Sequence, residues 1–122
     1  MILLLACPLY ASAKAKATKL LHTKESLAEI KENLSKEKFI MIDVRELKEW
    51  ESKRLKNSIH IPLSILKSKE EKWKEKIPVD KTLYIHCYSG GRALIAGRVL
   101  MKKGYKVIAV GYSLNELFDS GL

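Results

Sequence analysis

The sequence predicts an α/β fold in which helices cover both faces of a mainly parallel central sheet. Two observations support this prediction. Short apolar runs rich in β-forming residues alternate along the chain with segments whose apolar residues recur at helical spacing, and no internal repeat is present. In addition, 122 residues, of which 47% are hydrophobic, are enough for one core but not for two, so the chain forms at most one domain.

The first predicted elements are a helix, a strand, a second helix and a second strand. SLAE (Ser26 to Glu29) has the spacing of a capping box and predicts a helix start. The continuous apolar run KFIMIDV (Lys38 to Val44) predicts a strand that is buried on both faces. ELKEWE (Glu46 to Glu51) predicts a short helix, and SIHIPL (Ser58 to Leu63) predicts a short strand that a proline ends. The side chains expected to face the core are Leu27, Ile30, Leu34, Leu47 and Trp50.

The later elements continue this alternation. The charged stretch from Ser64 to Ile77 is expected to be helical. TLYIH (Thr82 to His86) and KVIAV (Lys106 to Val110) predict two further buried strands. Between these strands, apolar residues at helical spacing predict a helix from Arg92 to Lys103, and a last helix is predicted from Leu114 to Phe118. In the charged stretch, the residues expected to contact the core are Ile65, Leu66 and Trp73.

The beginning of the chain, MILLLACPLYASAKA, is expected to be a signal peptide. Met1 to Ala13 have no charged side chain, and Ala11 and Ala13 have the A-x-A spacing that precedes a signal-peptidase cleavage site. The apolar stretch is shorter than the roughly 20 residues that span a bilayer. We therefore expect a signal peptide and spacer over residues 1–17, a domain over residues 20–122, and a periplasmic or secreted protein.

Two other interpretations of this segment stay open, because no Lys or Arg precedes the apolar stretch as in a standard signal peptide. In the first, the segment is retained and the protein is cytoplasmic. In the second, Cys7 of the LLAC sequence is lipidated. Cleavage near Ala13 would leave Cys87 as the sole cysteine, and a single cysteine cannot form an internal disulfide. The value of Cys87 would then lie in packing or in reactivity.

The formal net charge of +9 raises the question of a nucleic-acid or anionic-lipid partner. The lysines are interleaved with glutamates, as in KSKEEKWKEK (Lys67 to Lys76), and this pattern is typical of a solvated surface. The few aromatic residues form no stacking series with the basic residues. No nucleic-acid partner and no stable membrane span are therefore expected.

The strongest candidate for chemistry is a cysteine at the end of a predicted strand. Cys87 follows TLYIH, and a helix is predicted to begin near Arg92, so loop amides and the helix dipole favour an anion between them. Gly90 and Gly91 can turn the backbone inward, and Arg92 adds a positive charge with several donors. Each feature should favour the thiolate over the thiol. The alternative interpretation is a structural cysteine buried beside a flexible turn.

The loop CYSGGRA (Cys87 to Ala93) resembles the active-site loop of the rhodanese family, single-domain sulfurtransferases with a C-x4-R pattern. Three further segments resemble family motifs in the same order along the chain. IDVRELKEWE (Ile42 to Glu51) is similar to the D-V-R-E segment, and NSIHIPL (Asn57 to Leu63) is similar to the G-A-x-N-I-P segment. Gly104 to Leu122 resembles the closing strand and helix. The resemblance implies a rhodanese-like three-layer α/β/α fold with a mainly parallel central sheet.

The resemblance also implies a thiosulfate sulfurtransferase in which Cys87 is the catalytic nucleophile. Cys87 would take a sulfane sulfur from a small donor such as thiosulfate or a persulfide, and would pass it to a thiol, to cyanide or to a protein acceptor. The implied substrate-binding residues are Tyr88, Ser89, Gly90, Gly91 and Arg92. For Asp43 and Arg45 the resemblance implies first a structural role, in which they brace neighbouring loops, and second a role in substrate binding. No cofactor is implied.

Two rival functions use a similar loop. A protein phosphatase of the related fold is associated with five residues between cysteine and arginine, but four separate Cys87 from Arg92, so this function is disfavoured. A persulfide carrier that serves a partner protein without independent turnover needs the same loop and stays open. The histidines, which have unrelated spacings that predict no metal site, are His22, His60 and His86. Strand alternation places His86 on the face opposite Cys87, so a general-base role is not expected.

Overall fold

A computed structural model describes residues 19–122 of the protein. The predicted signal peptide and spacer over residues 1–17, including Cys7, lie outside the described residues and stay predictions. The helices are α1 (Leu27–Leu34), α2 (Leu47–Ser52), α3 (Leu63–Leu66), α4 (Gly91–Lys102) and α5 (Leu114–Asp119), with a 3₁₀ helix at Lys72–Lys76. The strands are β1 (Phe39–Asp43), β2 (Ser58–His60), β3 (Thr82–His86) and β4 (Lys106–Ala109).

The four strands form one sheet in the order β2-β1-β3-β4, and every neighbouring pair is parallel. Between consecutive parallel strands the chain must cross from one end of the sheet to the other, and the helices are in these crossovers. The α/β fold with a mainly parallel central sheet is therefore confirmed.

Alternation along the strands builds a separate apolar core on each face of the sheet. One core contains Ile42, Val44, Leu83, Ile85 and Cys87, packed against residues of α3, α4 and the 3₁₀ helix. The other contains Met41 and Tyr84, packed against residues of α1 and α5. Burial of each large apolar side chain stabilises the fold by roughly 1.5–3 kcal/mol. Because an uncovered face would lose this stabilisation, helices cover both faces of the sheet. The result is three layers.

Two predictions about the helices are wrong. The charged stretch Ser64 to Ile77 is not one helix, because α3 ends at Leu66 and only a 3₁₀ helix follows. The residues between these two helices, from 67 to 71, are all serine, lysine or glutamate and offer no apolar face for burial, so tertiary packing does not stabilise a helix there. Leu47 does not face the core, since it is 57% exposed at the start of α2. Trp50 is partly buried and stacks on the ring of His60 at a centroid distance of 4.6 Å.

The parallel arrangement brings the carboxyl ends of all four strands to the same edge of the sheet. Asp43, the last residue of β1, is in register with His86, the last residue of β3. The backbone N–H of Val44 then donates to the carbonyl of His86 at 3.1 Å, so the ladder continues past both strand ends. The segments that follow β1 and β3 leave the sheet together at this edge, where ligands bind in open α/β sheets. Within residues 19–122, no helix has the length and apolar character needed to cross a bilayer.

Candidate active site

Cys87 lies directly after β3, and its side chain is only 1% exposed. Its Sγ accepts a hydrogen bond from the backbone N–H of Gly90 at 3.0 Å. Helix α4, which has 12 residues, begins at Gly91, so the sulfur lies against the N-terminal end of a full-length helix. The free N–H groups and the positive end of the helix dipole favour negative charge there. This position suits a sulfur anion.

The two glycines of the loop, Gly90 and Gly91, have different structural roles. Gly90 has a φ of 105°, a left-handed conformation that other residues rarely adopt, and it is the residue whose N–H reaches the sulfur. Gly91 is already helical, and a Cβ atom added to it would contact no atom within 4 Å. The expected inward turn of the backbone therefore depends on Gly90 rather than on both glycines.

Tyr88 and Ser89 form the exposed surface of the loop. The side chain of Tyr88 is 50% exposed, whereas its backbone carbonyl accepts a hydrogen bond from the N–H of Leu114 at 2.9 Å. Leu114 is the first residue of α5, so the closing helix fixes the outer part of the loop. No pattern in the sequence indicates this contact.

The side chain of Arg92 forms a bidentate ion pair with Glu49 of α2. Nη1 donates to Oε1 at 2.6 Å and Nη2 donates to Oε2 at 2.9 Å. The hydrogen bond from Arg92 lowers the pKa of Glu49 from 4.5 to about 2, and the same bond raises the pKa of Arg92. A guanidinium has five N–H donors, and the bonds to Glu49 use two of them, which leaves three for a second anion. The substrate-binding role of Arg92 stays a prediction, but any anion at this position shares the guanidinium with Glu49.

Asp43 and Arg45 form a buried ion pair beneath α2. Arg45 donates to Asp43 Oδ2 from Nε at 3.0 Å and from Nη2 at 2.7 Å. The same guanidinium donates to the backbone carbonyls of Glu49 at 3.3 Å and of Lys53 at 2.6 Å. These bonds satisfy carbonyls in the last turn of α2 and tie that helix to the end of β1. Arg45 thereby fixes the helix that presents Glu49 to the loop.

His86 lies next to Cys87 in the sequence but in a different environment. Its ring is fully buried, and Nδ1 contacts the carbonyl oxygen of Cys87, not its sulfur, at 3.2 Å. Nε2 lies 3.5 Å from Asp43 Oδ2 and has no hydrogen-bond partner among the described residues. Burial lowers the pKa of His86, and the nearby carboxylate of Asp43 opposes this shift. This arrangement agrees with the expected orientation of His86 away from the nucleophile.

Comparison with known families agrees with this geometry. A model of the rhodanese-like domain matches residues 26–116, which include all four strands and the loop from Cys87 to Arg92. The chain belongs to the rhodanese-like family. Membership of this family supports a role in sulfur transfer in general terms.

Two relatives resemble this rhodanese-like chain at 30% sequence identity or more. It is 34% identical over 74 residues to "Putative sulfur carrier protein YrkF" of Bacillus subtilis strain 168, and the match covers 61% of the chain and 38% of that protein. It is 30% identical to a rhodanese-related protein of Thermoplasma volcanium whose crystal structure superposes with a TM-score of 0.64, over 78% of this chain and 89% of the other. The chain spans well under half the length of the curated relatives that it matches.

A human structure extends the comparison at the level of the fold alone. The human single-domain sulfurtransferase TSTD1 is 23% identical, and it superposes with a TM-score of 0.59 over 80% of this chain and 96% of its own. Across residues 19–122 of the rhodanese-like chain, no group of three or more His, Cys, Asp or Glu side chains is arranged to hold a metal ion.

Two residues near the loop were not identified from the sequence of this rhodanese-like domain. Glu49, 43 positions before Arg92, pairs with it, and His22 donates from Nε2 to the carbonyl of Gly90 at 2.8 Å. Glu49 lies inside the segment that resembles the D-V-R-E motif. The resemblance therefore identifies this segment, but it does not indicate that Glu49 binds Arg92. For His22 the sequence offered no signal, because it precedes the first predicted element and is 68 positions from Gly90.

Proposed function

We propose that the protein is a sulfurtransferase that moves a sulfane sulfur from a small anionic donor such as thiosulfate to a thiol or cyanide, through a persulfide on Cys87. The observation that supports this proposal most directly is the hydrogen bond from Gly90 N–H to Cys87 Sγ at the start of α4. A sulfur held against N–H donors and a helix N-terminus is favoured as an anion, and the thiolate is the nucleophilic form of cysteine.

The first step loads the protein with sulfur. The Cys87 thiolate attacks the outer sulfur of thiosulfate, a new sulfur–sulfur bond forms at Sγ, and the sulfur–sulfur bond of thiosulfate breaks. Sulfite leaves with the electron pair of the broken bond. The negative charge of the protein then lies on the terminal sulfur of the persulfide.

The second step delivers the sulfur. The acceptor attacks the terminal sulfur, the bond to Sγ breaks, and its electron pair returns to Sγ as the thiolate. Cyanide leaves as thiocyanate, and a thiolate acceptor leaves as a persulfide. Between the two steps, backbone N–H groups from Tyr88 to Arg92 would hold the terminal sulfur, as donors preorganised for a charge that forms during the reaction.

Arg92 would attract the anionic donor in the first step. Its two bonds to Glu49 hold the guanidinium in place while three N–H donors stay available for the sulfonate oxygens of the donor. Glu49 already neutralises part of the charge of Arg92. The donor therefore binds a guanidinium that Glu49 both holds in position and shares. A shared guanidinium permits sulfite to leave after loading.

A second candidate function is a persulfide carrier that delivers sulfur to a partner protein without turning over thiosulfate by itself. The name of the Bacillus subtilis relative favours this function. Steady formation of thiocyanate by the isolated protein, from thiosulfate and cyanide, distinguishes the enzyme from the carrier. A carrier would accept sulfur from a protein donor and release none to cyanide at a catalytic rate.

The decisive substitution is Cys87→Ser. The change should keep the fold, because serine is similar in size, and should abolish sulfur transfer almost completely, because a hydroxyl is scarcely ionised near neutral pH and forms no stable bond to sulfur. Wild-type protein incubated with thiosulfate and then freed of excess reagent should gain the mass of one sulfur atom. Cyanide or dithiothreitol should remove that mass.

The matched control makes the same chemical change at the other cysteine. Cys7→Ser in the full chain should load and transfer sulfur like the wild type. Thiocyanate production by Cys87→Ser at the wild-type rate, or a sulfur label that maps to Cys7, would contradict the mechanism.

A further inference from the structure

The segment that precedes α1 runs along β4 and reaches the loop. The backbone N–H of Thr23 donates to the carbonyl of Ala109 at 2.8 Å, and His22 forms a parallel bridge with the same residue. Leu20 packs so closely on α4 that a Cβ atom at Gly97 would lie 2.5 Å from its side chain. Glycine costs about 1 kcal/mol inside a helix, so its presence at this position is explained by the approach of Leu20. The segment is therefore fixed to the domain on both sides of His22.

The imidazole of His22 occupies a notch between two glycines. Its Nε2 donates to the carbonyl oxygen of Gly90 at 2.8 Å. A Cβ atom at Gly90 or at Gly111 would lie 3.0 Å from ring atoms, so a side chain at either position would require the ring to shift by a few tenths of an ångström. Both the loop and the end of β4 thus leave room for this ring.

The hydrogen bond to His22 sets the orientation of one particular peptide group. In a trans peptide the C=O and the N–H point in opposite directions, so the carbonyl of Gly90 directed at His22 turns the N–H of Gly91 away from His22. The carbonyl of Tyr88, held by the N–H of Leu114, similarly directs the N–H of Ser89 away from α5. Two carbonyls of the loop are thus held from outside the loop.

The Gly90–Gly91 peptide is also the peptide of the loop that can flip most easily. Rotation of this peptide changes ψ of Gly90 and φ of Gly91, and glycine restricts both angles less than any other residue. A turned peptide would present a carbonyl oxygen, with its partial negative charge, in place of an N–H. That exchange would repel a terminal sulfur anion instead of binding it.

We propose that His22 is a positioning residue that holds the Gly90–Gly91 peptide with its N–H directed at the terminal sulfur of the Cys87 persulfide. This inference rests on the proposed function. His22 contacts neither the sulfur nor the donor, and it acts through the carbonyl of Gly90. Its predicted effect is on the stability of the persulfide relative to the free thiolate.

The test compares His22→Leu, which keeps much of the volume but has no donor, with His22→Gln, whose amide nitrogen can replace Nε2. Leu21→Ala, a change at the adjacent exposed residue, is the control. For each protein, mass spectrometry measures the loaded fraction of Cys87 at a series of thiosulfate-to-sulfite ratios. Loss of one neutral hydrogen bond predicts that His22→Leu lowers the loading equilibrium constant by about 3- to 10-fold, and that His22→Gln restores it to within about 2-fold.

A second measurement observes the peptide itself. The amide proton of Gly91 should shift downfield in the NMR spectrum when wild-type protein is loaded with sulfur, and should not do so in His22→Leu. A loading constant in His22→Leu equal to that of the wild type would overturn the inference, and so would a loss that His22→Gln fails to restore. Failure of the wild type to load at all would instead reject the proposed function, which keeps the two failures distinct.

Discussion

Two carboxylate–guanidinium pairs near the loop place the same chemical groups in different surroundings. In the buried pair, Asp43 and Arg45 are 0% and 2% exposed, whereas in the exposed pair, Glu49 and Arg92 are 35% and 31% exposed. Two charges removed from water are costly, and removal of one partner leaves the other charge buried without compensation. A pair in contact with water is screened and contributes little to stability. The first pair therefore fixes structure, and we predict that the second can exchange partners with an anionic substrate.

The two pairs meet at one residue. The backbone carbonyl of Glu49 accepts a hydrogen bond from Arg45, while its side chain binds Arg92. The buried pair thus fixes the position from which the exposed pair reaches the loop. Substitutions in the buried pair should disturb the loop, because they displace α2. Substitutions in the exposed pair should leave the fold intact. The comparison can be tested with matched substitutions.

The largest difference in stability is expected between Asp43→Asn and Glu49→Gln, which both replace a carboxylate with the amide of the same shape. Asp43→Asn leaves Arg45 buried without its counter-ion, so the free energy of unfolding should fall by roughly 3–5 kcal/mol. Glu49→Gln should lower it by about 1 kcal/mol or less, because about a third of each side chain of the pair is exposed to solvent. Urea unfolding at neutral pH measures both. Equal losses of unfolding free energy in the two variants would show that the two pairs contribute equally to stability despite their different burial.

The next effect concerns activity. Arg92→Ala should reduce thiosulfate turnover by about tenfold or more, since a charge-assisted contact in a partly dry site is worth roughly 1.5–3 kcal/mol. Its free energy of unfolding should change little, as for Glu49→Gln. Arg98→Ala, a change of the other arginine on α4, which is exposed, is the control and should leave turnover unchanged. Wild-type turnover in Arg92→Ala would mean that the loop amides bind the donor without the guanidinium.

The smallest expected effect is on the pH dependence of stability. The pKa of Glu49 is lowered from 4.5 to about 2 in the folded protein, mainly by the hydrogen bond from Arg92. A lowered carboxyl pKa means that the stabilisation is complete above the unfolded pKa and is lost as the pH falls from about 5 through about 2. Solvent screening keeps this contribution small. Urea midpoints measured in this range should fall less steeply for Glu49→Gln than for the wild type, and parallel curves would contradict the assignment.

The strands and the position of Cys87 in the fold could be predicted because their signals are local. An apolar run such as TLYIH requires burial on both faces wherever it lies, and the predicted bounds of this strand, Thr82 to His86, are those observed. A cysteine that follows such a strand and precedes Gly90 and a helix must lie at the carboxyl edge of a parallel sheet. The charged stretch after Ser64 was predicted less well, because helical composition without an apolar face does not ensure a helix.

By itself, then, the sequence determined the order of strands and helices, the parallel sheet, and the placement of Cys87 and Arg92 at the start of α4. Only the tertiary structure decided which groups surround the loop. Glu49 is 43 positions from Arg92 and His22 is 68 positions from Gly90, and both contacts form only because parallel strands bring distant segments to one edge of the sheet. Periodicity and capping describe neighbours within a few residues, whereas such contacts depend on how whole elements pack.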